Sequence, residues 1–313
     1  MAGLACAGAL HAMGAVVTVF DKGRRAGGRL ATRRVEGMQF DHGAAYAAAR
    51  GPVFQAVLDA MGTAGDAAPW GAAGLGRWAG TPGMSALARH MEGRGVGTLH
   101  TMRHVAHLHR STEGWLVRHL DAASTKPGHV TDQGGEVAGP FDAVLLAMPA
   151  PQAAALLHAV PHPFAAEAER AGLAPCWALM LAFPEPTAAP DLPVPHGALA
   201  WIARDSSRPG RAPAPECWVA HASADWSRTH LEDAPEAVRD VLLRDFAAAT
   251  GLHGAPAYAA VQRWRYALAD APLGVAALWD ADAGLGVCGD WCLGARVEAA
   301  YDSGRILAGL VGA

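Results

Sequence analysis

Ala2-Gly3-Leu4-Ala5-Cys6-Ala7-Gly8-Ala9-Leu10-His11-Ala12-Met13-Gly14-Ala15-Val16-Val17-Thr18-Val19-Phe20-Asp21-Lys22-Gly23, immediately after Met1, is the stretch on which the fold turns. Residues 2–13 are rich in Ala and Leu and free of Pro, which suits a helix, and Gly14 stands where a C-terminal cap belongs. Residues 16–20 form a continuous apolar, β-branched run of strand length, as a parallel strand buried on both faces requires. Asp21 stands at its carboxyl end.

A parallel strand ending in an acid, reached from a glycine-containing helix start, is how a doubly wound sheet holds a dinucleotide, the carboxylate accepting hydrogen bonds from ribose hydroxyls. The full fingerprint runs strand, G-x-G-x-x-G, helix. Here only its last glycine, Gly3, is present, at the spacing from Asp21 expected of a ribose-binding acid about 20 residues on. The expectation that follows is a Met1 internal to a longer natural chain, whose first strand and first two glycines lie upstream.

Composition sets outer bounds. A chain of 313 residues, 51% apolar and 17% charged, can bury a large core and favours one or two domains. A net charge of -4, with no long basic stripe, argues against nucleic acid. The five cysteines, an odd number in no framework spacing, read as thiols of a reducing compartment, so a cytoplasmic location is expected. The apolar run 2–20 mimics an export signal or membrane span, but it lacks a basic leader, consists mostly of weak Ala and Gly, and is interrupted by His11. No membrane association is expected.

Further along, helices are expected over 53–61, 84–91, 161–171, 235–250 and 297–311. Strands are expected over 142–148, 177–183, 198–204, 217–222, 261–268 and 286–288. Residues 98–120 suggest a hairpin turning at Thr112-Glu113-Gly114, and 123–140 a surface loop containing Lys126. Pro149 and Pro151 are read as stopping the strand before them. His100, His104, His107 and His109 crowd the hairpin, but on a strand they split between two faces without a supporting carboxylate, so no metal site is assigned.

Beyond Asp21-Lys22-Gly23, Gly27 and Gly28 permit close backbone approach to a ligand, and the arginines around them can bind phosphate. The pattern D-K-G-x-x-x-G-G-R-L-A-T-R-R resembles the second half of the FAD-binding signature of flavin amine oxidases, and within them the bacterial renalase-like family of FAD-dependent oxidoreductases. The resemblance continues at Phe40-Asp41-His42-Gly43-Ala44, Thr81-Pro82-Gly83-Met84-Ser85, Trp201-Ile202-Ala203-Arg204, Arg263-Trp264-Arg265-Tyr266 and Gly289-Asp290-Trp291-Cys292, and covers nearly the whole chain. It implies an α/β protein in the amine-oxidase and p-hydroxybenzoate-hydroxylase-like class: a Rossmann-like FAD domain (1–51, 82–149, 279–313) and a substrate domain with a mainly antiparallel sheet (52–81, 150–278).

By the same resemblance FAD lies along Gly3, Asp21, Lys22, Gly27, Gly28, Arg29 and Thr32, with Asp41, His42, Gly43 and Ala44 beside the ring system and Val105 at adenine. The closing motif adds Gly289, Asp290, Arg296 and Val297, where an acid can meet ribityl hydroxyls and a helix N-terminus can stabilise negative charge on the reduced ring. Residues 45–48 depart from the family pattern, which continues there with a glutamine and aromatics.

No catalytic side chain is assigned, because the flavin itself does the chemistry. Lys22 and Lys126, the only lysines, are poorly placed to hold the flavin-side water of amine oxidases. The renalase likeness implies oxidation of isomeric dihydronicotinamide dinucleotides, reduced at the 2 or 6 position, with O2 as electron acceptor and H2O2 as product. Trp201, Arg204, His221, Trp264, Arg265, Tyr266 and Trp291 are the expected substrate residues, the rings stacking and the arginines meeting phosphates. Core packing is the alternative role for each ring. A flavin amine oxidase or desaturase, and a non-catalytic remnant of the fold, remain as alternatives. A thioether from Cys288 or Cys292 to the flavin is not expected.

Overall fold

The computed structural model describes residues 1–125 and 134–313. Part of the expected loop over 123–140, with Lys126, lies outside the described residues. The chain divides into two units: Met1–Gly28, Ala88–Leu173 and Ala269–Ala313 in the first, Arg29–Leu87 and Ala174–Leu268 in the second. Relative to the domain boundaries expected from sequence, 29–51 and 82–87 group with the second unit, 150–173 and 269–278 with the first. The reason is packing. Met38 and Phe40 are buried with Met180 and Val219, while Ala150, Ala153 and Leu157 complete the core around Val144 and Leu285.

In the first unit the helix Ala2–Ala12 packs against the helix Val297–Val311, sharing a core of Ala2, Cys6, Leu10, Cys288 and Leu307. Their approach is so close that a Cβ on Gly304 would lie 2.1 Å from the Ala2 carbonyl oxygen. Strand Thr18–Phe20 pairs in parallel with Thr98–His100, and Val144–Leu146 pairs in parallel with Leu285–Val287. These pairs belong to separate sheets. Thr18–Phe20 is half-buried at every position and Val16 is fully exposed, which corrects the expectation of a strand buried on both faces. Among the described residues only one of its edges is paired.

Strands Arg103–Arg110, Trp115–Asp121 and Glu136–Phe141 form a separate antiparallel sheet, so the last of these replaces part of the expected loop. The hairpin turn is closed by Ser111, whose N–H donates to the Gly114 carbonyl. Pro149 and Pro151 do not merely end a strand. They open the helix Ala150–Leu157, because proline lacks only an N–H that a first helical turn leaves unused.

The second unit is built on a sheet in the order Leu199–Arg204, Glu216–Ala222, Gly172–Phe183, Tyr258–Ala271. Its first three strands are antiparallel neighbours. Side chains alternate between faces. Trp177, Leu179, Leu181, Ile202, Trp218 and Ala220 pack against Val238, Leu242 and Phe246 of the helix Pro235–Thr250. Met180, Ala182, Cys217 and Val219 occupy the other face with Met38, Phe40 and Tyr258. Among the described residues no helix is long and apolar enough to cross a membrane.

Candidate functional site

In the first unit the nucleotide-type features are local and specific. A Cβ on Gly3 would lie 3.2 Å from that of Ala147, so glycine here permits close helix-to-strand packing. Asp21 ends strand Thr18–Phe20, and its Oδ1 accepts the Gly23 N–H at 2.7 Å, holding the loop that carries Lys22. Gly27 and Gly28 have φ of 126° and 53°, and a Cβ on Gly28 would meet nothing within 4 Å, leaving open space over the backbone. Val105 lies opposite His119 in the antiparallel sheet.

At the other end of the chain, Asp290 is buried and starts the short helix Asp290–Leu293. Gly289 is required by packing, since a Cβ there would lie 2.4 Å from the Trp291 ring. Trp291 itself is fully buried and donates through Nε1 to the Met148 carbonyl at 2.9 Å, so the expected stacking residue is part of the core. Arg296 is the N-cap of Val297–Val311, whose first turn has no side-chain cap. Among the described residues the buried Arg296 Nε has no hydrogen-bond partner, and it lies 4.0 Å from Glu298.

The second unit holds Arg29, Thr32 and residues 41–44. Arg29 donates to the Ala267 carbonyl at 3.0 Å. Thr32 Oγ1 donates to Asp41 Oδ1 at 2.6 Å, and the Met84 N–H reaches the same oxygen at 2.9 Å. Asp41 and Asp205 are completely buried and share Arg211, which pairs with Asp205 at 2.8 Å and with Asp41. Arg208 pairs with Asp205, donates to the Ala45 carbonyl at 2.6 Å and lies over the Trp70 ring at 4.2 Å. Burial and the neighbouring Asp205 raise the Asp41 carboxyl, against the pull of Arg208 and Arg211. Thr32 and Asp41 are thus engaged by the protein's own groups. Sequence reasoning assigned no role to Asp205, Arg208 or Arg211; the available signal was an acid directly after the Met38–Phe40 strand, which needs a counter-ion if buried.

That network anchors the loop after Asp41. Gly43 is pinned beneath Arg29, whose carbonyl would lie 2.0 Å from a Cβ and which accepts the Ala44 N–H at 2.8 Å. The His42 imidazole stacks on Trp264 at 5.3 Å and 19°, and its carbonyl accepts the Trp264 indole N–H. His221 lies directly opposite Trp201 on paired strands. Burial is the largest cause lowering both imidazoles, His42 and His221, to about 4. Among the described residues, nothing hydrogen-bonds to the buried His42 Nδ1, His221 Nε2 and Trp201 Nε1.

The strand Tyr258–Ala271 sorts its residues by face. Trp264 and Tyr266 share the parity of Tyr258 and Ala260, which pack with Met180 and Val219, whereas Arg263 lies over Trp177 on the helix-covered face. Arg265 shares the Arg263 face and pairs with Glu232. Arg204 is on that face too, over the Trp218 ring, donating to the Thr187 and Ala189 carbonyls and ion-paired with Glu216. The structure therefore groups Trp201, His221, Trp264 and Tyr266 with His42, and separates Arg204 and Arg265 from them by the thickness of the sheet. Among the described residues no group of three or more His, Cys, Asp or Glu could hold a metal ion.

Residues 1–61 match the NAD(P)-binding Rossmann-like domain, and residues 53–311 match the flavin containing amine oxidoreductase family. The chain belongs to the flavin containing amine oxidoreductase family. This family member is an FAD-dependent oxidoreductase with a Rossmann-like domain. Its fold is similar to that of a triple mutant of putrescine oxidase, redesigned in cofactor binding (TM-score 0.68, 12% identity, 98% of this chain and 96% of that one). It is also similar to cyclohexylamine oxidase from Brevibacterium oxydans IH-35A (TM-score 0.60, 14% identity, 99% and 96%). A third similar structure is a putative protoporphyrinogen oxidase from Exiguobacterium sp. 255-15 (TM-score 0.58, 16% identity, 78% of this chain), of which this chain spans 53%.

The residues of the family member fit a long, phosphate-bearing flavin nucleotide. The open backbone at Gly28, the first turn at Val297 without a side-chain cap and the Arg296 Nε, which among the described residues has no hydrogen bond, all present donors or space that an anionic, hydroxyl-rich ligand would occupy.

Proposed function

We propose that this FAD-dependent oxidoreductase oxidises isomeric dihydronicotinamide dinucleotides reduced at the 2 or 6 position, yielding NAD(P)+ and, with O2 as acceptor, H2O2. FAD, when bound, supplies the hydride acceptor. Asp21 would hold ribose hydroxyls, the Gly27 and Gly28 backbone would admit the pyrophosphate, Val105 would meet adenine, and Asp290, Arg296 and Val297 would hold the ribityl and ring end.

The observation that carries the substrate reading is the character of one sheet face. Trp201, Trp264 and Tyr266 offer rings for stacking beside two neutral imidazoles, His42 and His221. The second unit contains no lysine, and its buried acids are committed, Asp41 and Asp205 to Arg208 and Arg211 and Glu216 to Arg204. A dihydropyridine needs no general base, because loss of hydride leaves an aromatic cation; positioning by stacking suffices.

A second reading, oxidation of a small amine, is favoured by the family match and by the fold shared with putrescine oxidase bound to putrescine. A protonated amine, however, would find no uncommitted buried carboxylate among the named residues of that face. Anaerobic mixing of the flavin-loaded protein with 6-dihydro-NAD, and separately with putrescine and cyclohexylamine, tests the choice. Rapid bleaching of the flavin band by the dinucleotide alone supports the first reading; bleaching by the amines alone overturns it.

A further inference from the structure

We infer that His42, His221 and Trp201 form a hydrogen-bonding corner that selects a ring bearing a carboxamide over the same ring bearing a carboxylate. This rests on the dihydronicotinamide reading above and names the group by which the substrate is told apart.

Among the described residues three buried polar atoms in this corner lack hydrogen-bond partners: His42 Nδ1, His221 Nε2 and the Trp201 indole N–H. Buried polar atoms are nearly always paired in folded proteins, so three on one sheet face and the loop stacked on it mark a place completed by a ligand. The side chains are held in position. Trp264 fixes the His42 ring by stacking and its carbonyl by a hydrogen bond, and Trp201 faces His221 across paired strands.

The donor inventory then selects the ligand. An indole N–H only donates, whereas each neutral imidazole nitrogen donates or accepts according to tautomer. A carboxamide fits this set: its oxygen accepts from Trp201 and its NH2 donates to an imidazole nitrogen. A carboxylate brings only acceptors and a full charge. The groups felt at the imidazoles are the His221 ring at His42, Arg208 and Asp205, which are paired with each other, and Arg33, which is exposed. Protonating an imidazole to meet the carboxylate is opposed by burial, which holds both rings neutral at neutral pH.

The test compares flavin reduction in the FAD-loaded protein by 6-dihydro-NAD and by the corresponding dihydronicotinic acid adenine dinucleotide. The expected result is a preference for the amide of roughly tenfold or more in kcat/KM, as in sites built to pair a specific polar group. His221→Leu and Trp201→Phe should each shrink that ratio, and His221→Asn, which keeps a neutral donor and acceptor, should restore part of it. Equal use of both dinucleotides, or a ratio unmoved in variants that retain flavin and melting temperature, overturns the inference. If neither dinucleotide bleaches the flavin, the proposed function fails, and calorimetric titration with nicotinamide and nicotinate decides the corner separately. Tighter binding of nicotinamide then upholds the corner, and equal or absent binding overturns it.

Discussion

Trp264 holds His42 twice: its indole N–H donates to the His42 carbonyl at 2.9 Å while its ring lies 5.3 Å from the imidazole, nearly parallel to it. The two residues are 222 positions apart, so this contact ties the loop after Asp41 to the sheet. Trp264→Phe keeps a ring and removes the donor, leaving the carbonyl with one partner fewer. Stability should fall by about 1 kcal/mol, and KM for the substrate should rise; urea unfolding and steady-state kinetics check both.

Arg211 is the shared counter-ion of two buried acids. Arg211→Met leaves Asp41 and Asp205 with Arg208 alone, and the loss should be about 3–5 kcal/mol. Its pH dependence has a defined sign. Removing a cation raises a folded carboxyl further above its unfolded value, so stability is retained at low pH and lost as pH rises. The deficit measured by urea unfolding should be larger at pH 8 than at pH 5; an equal deficit would show that the two acids are not electrostatically dependent on Arg211.

His42 and His221 behave in the opposite sense. Their folded values of about 4 lie below the ordinary histidine value near 6.5, so the folded state takes up protons less readily than the unfolded chain. Stability is therefore whole above pH 6.5 and is lost as pH falls from there towards 4, by up to about 3 kcal/mol per ring and less than twice that for the interacting pair. Melting temperatures recorded between pH 7.5 and 4.5 should show this loss, and His221→Phe should flatten the slope.

Two glycines of the C-terminal helix predict contrasting outcomes. A Cβ on Gly304 would strike the Ala2 backbone, so Gly304→Ala should separate the two terminal helices and destabilise by about 1–3 kcal/mol. Gly309 is exposed, with nothing within 4 Å of a Cβ, so Gly309→Ala should stabilise by about 0.5–1 kcal/mol through helix propensity. Paired thermal melts decide it.

All five cysteines are buried free thiols, and burial pushes Cys176 up to about 12 and Cys292 up to about 11. Thiolate is the reactive species, so native protein at pH 8 should react negligibly with a disulfide reagent and release five equivalents only after denaturation. Rapid labelling of the native protein would contradict this burial.

Much of the chain could be read directly because its signals are local. The Ala-rich helix, the β-branched run ending at Asp21, the Gly27-Gly28 pair and the amphipathic helix Pro235–Thr250 all carry periodicity or turn chemistry within a few residues. Pro149 and Pro151 misled for an equally local reason: proline can end one element while starting the next, and only the geometry of the following turn tells which.

Face assignment in the candidate site was partly legible, since alternation alone separates Trp264 and Tyr266 from Arg263 and Arg265. It could not say that Arg204 and Arg265 are engaged on the helix-covered face, because their partners are Glu216 on another strand and Glu232 in the turn before helix Pro235–Thr250.

The amino-acid order by itself determined an α/β chain with a dinucleotide-type start and a matching helix at its end, because backbone propensity and side-chain alternation act over short spans. Only the tertiary structure decided that Asp41 is locked to Asp205, Arg208 and Arg211, that Trp291 is core, and that His42 and His221 share one uncharged corner. Charge pairing, burial and neutrality depend on which distant groups are brought within a few ångströms, and that distance is written in packing.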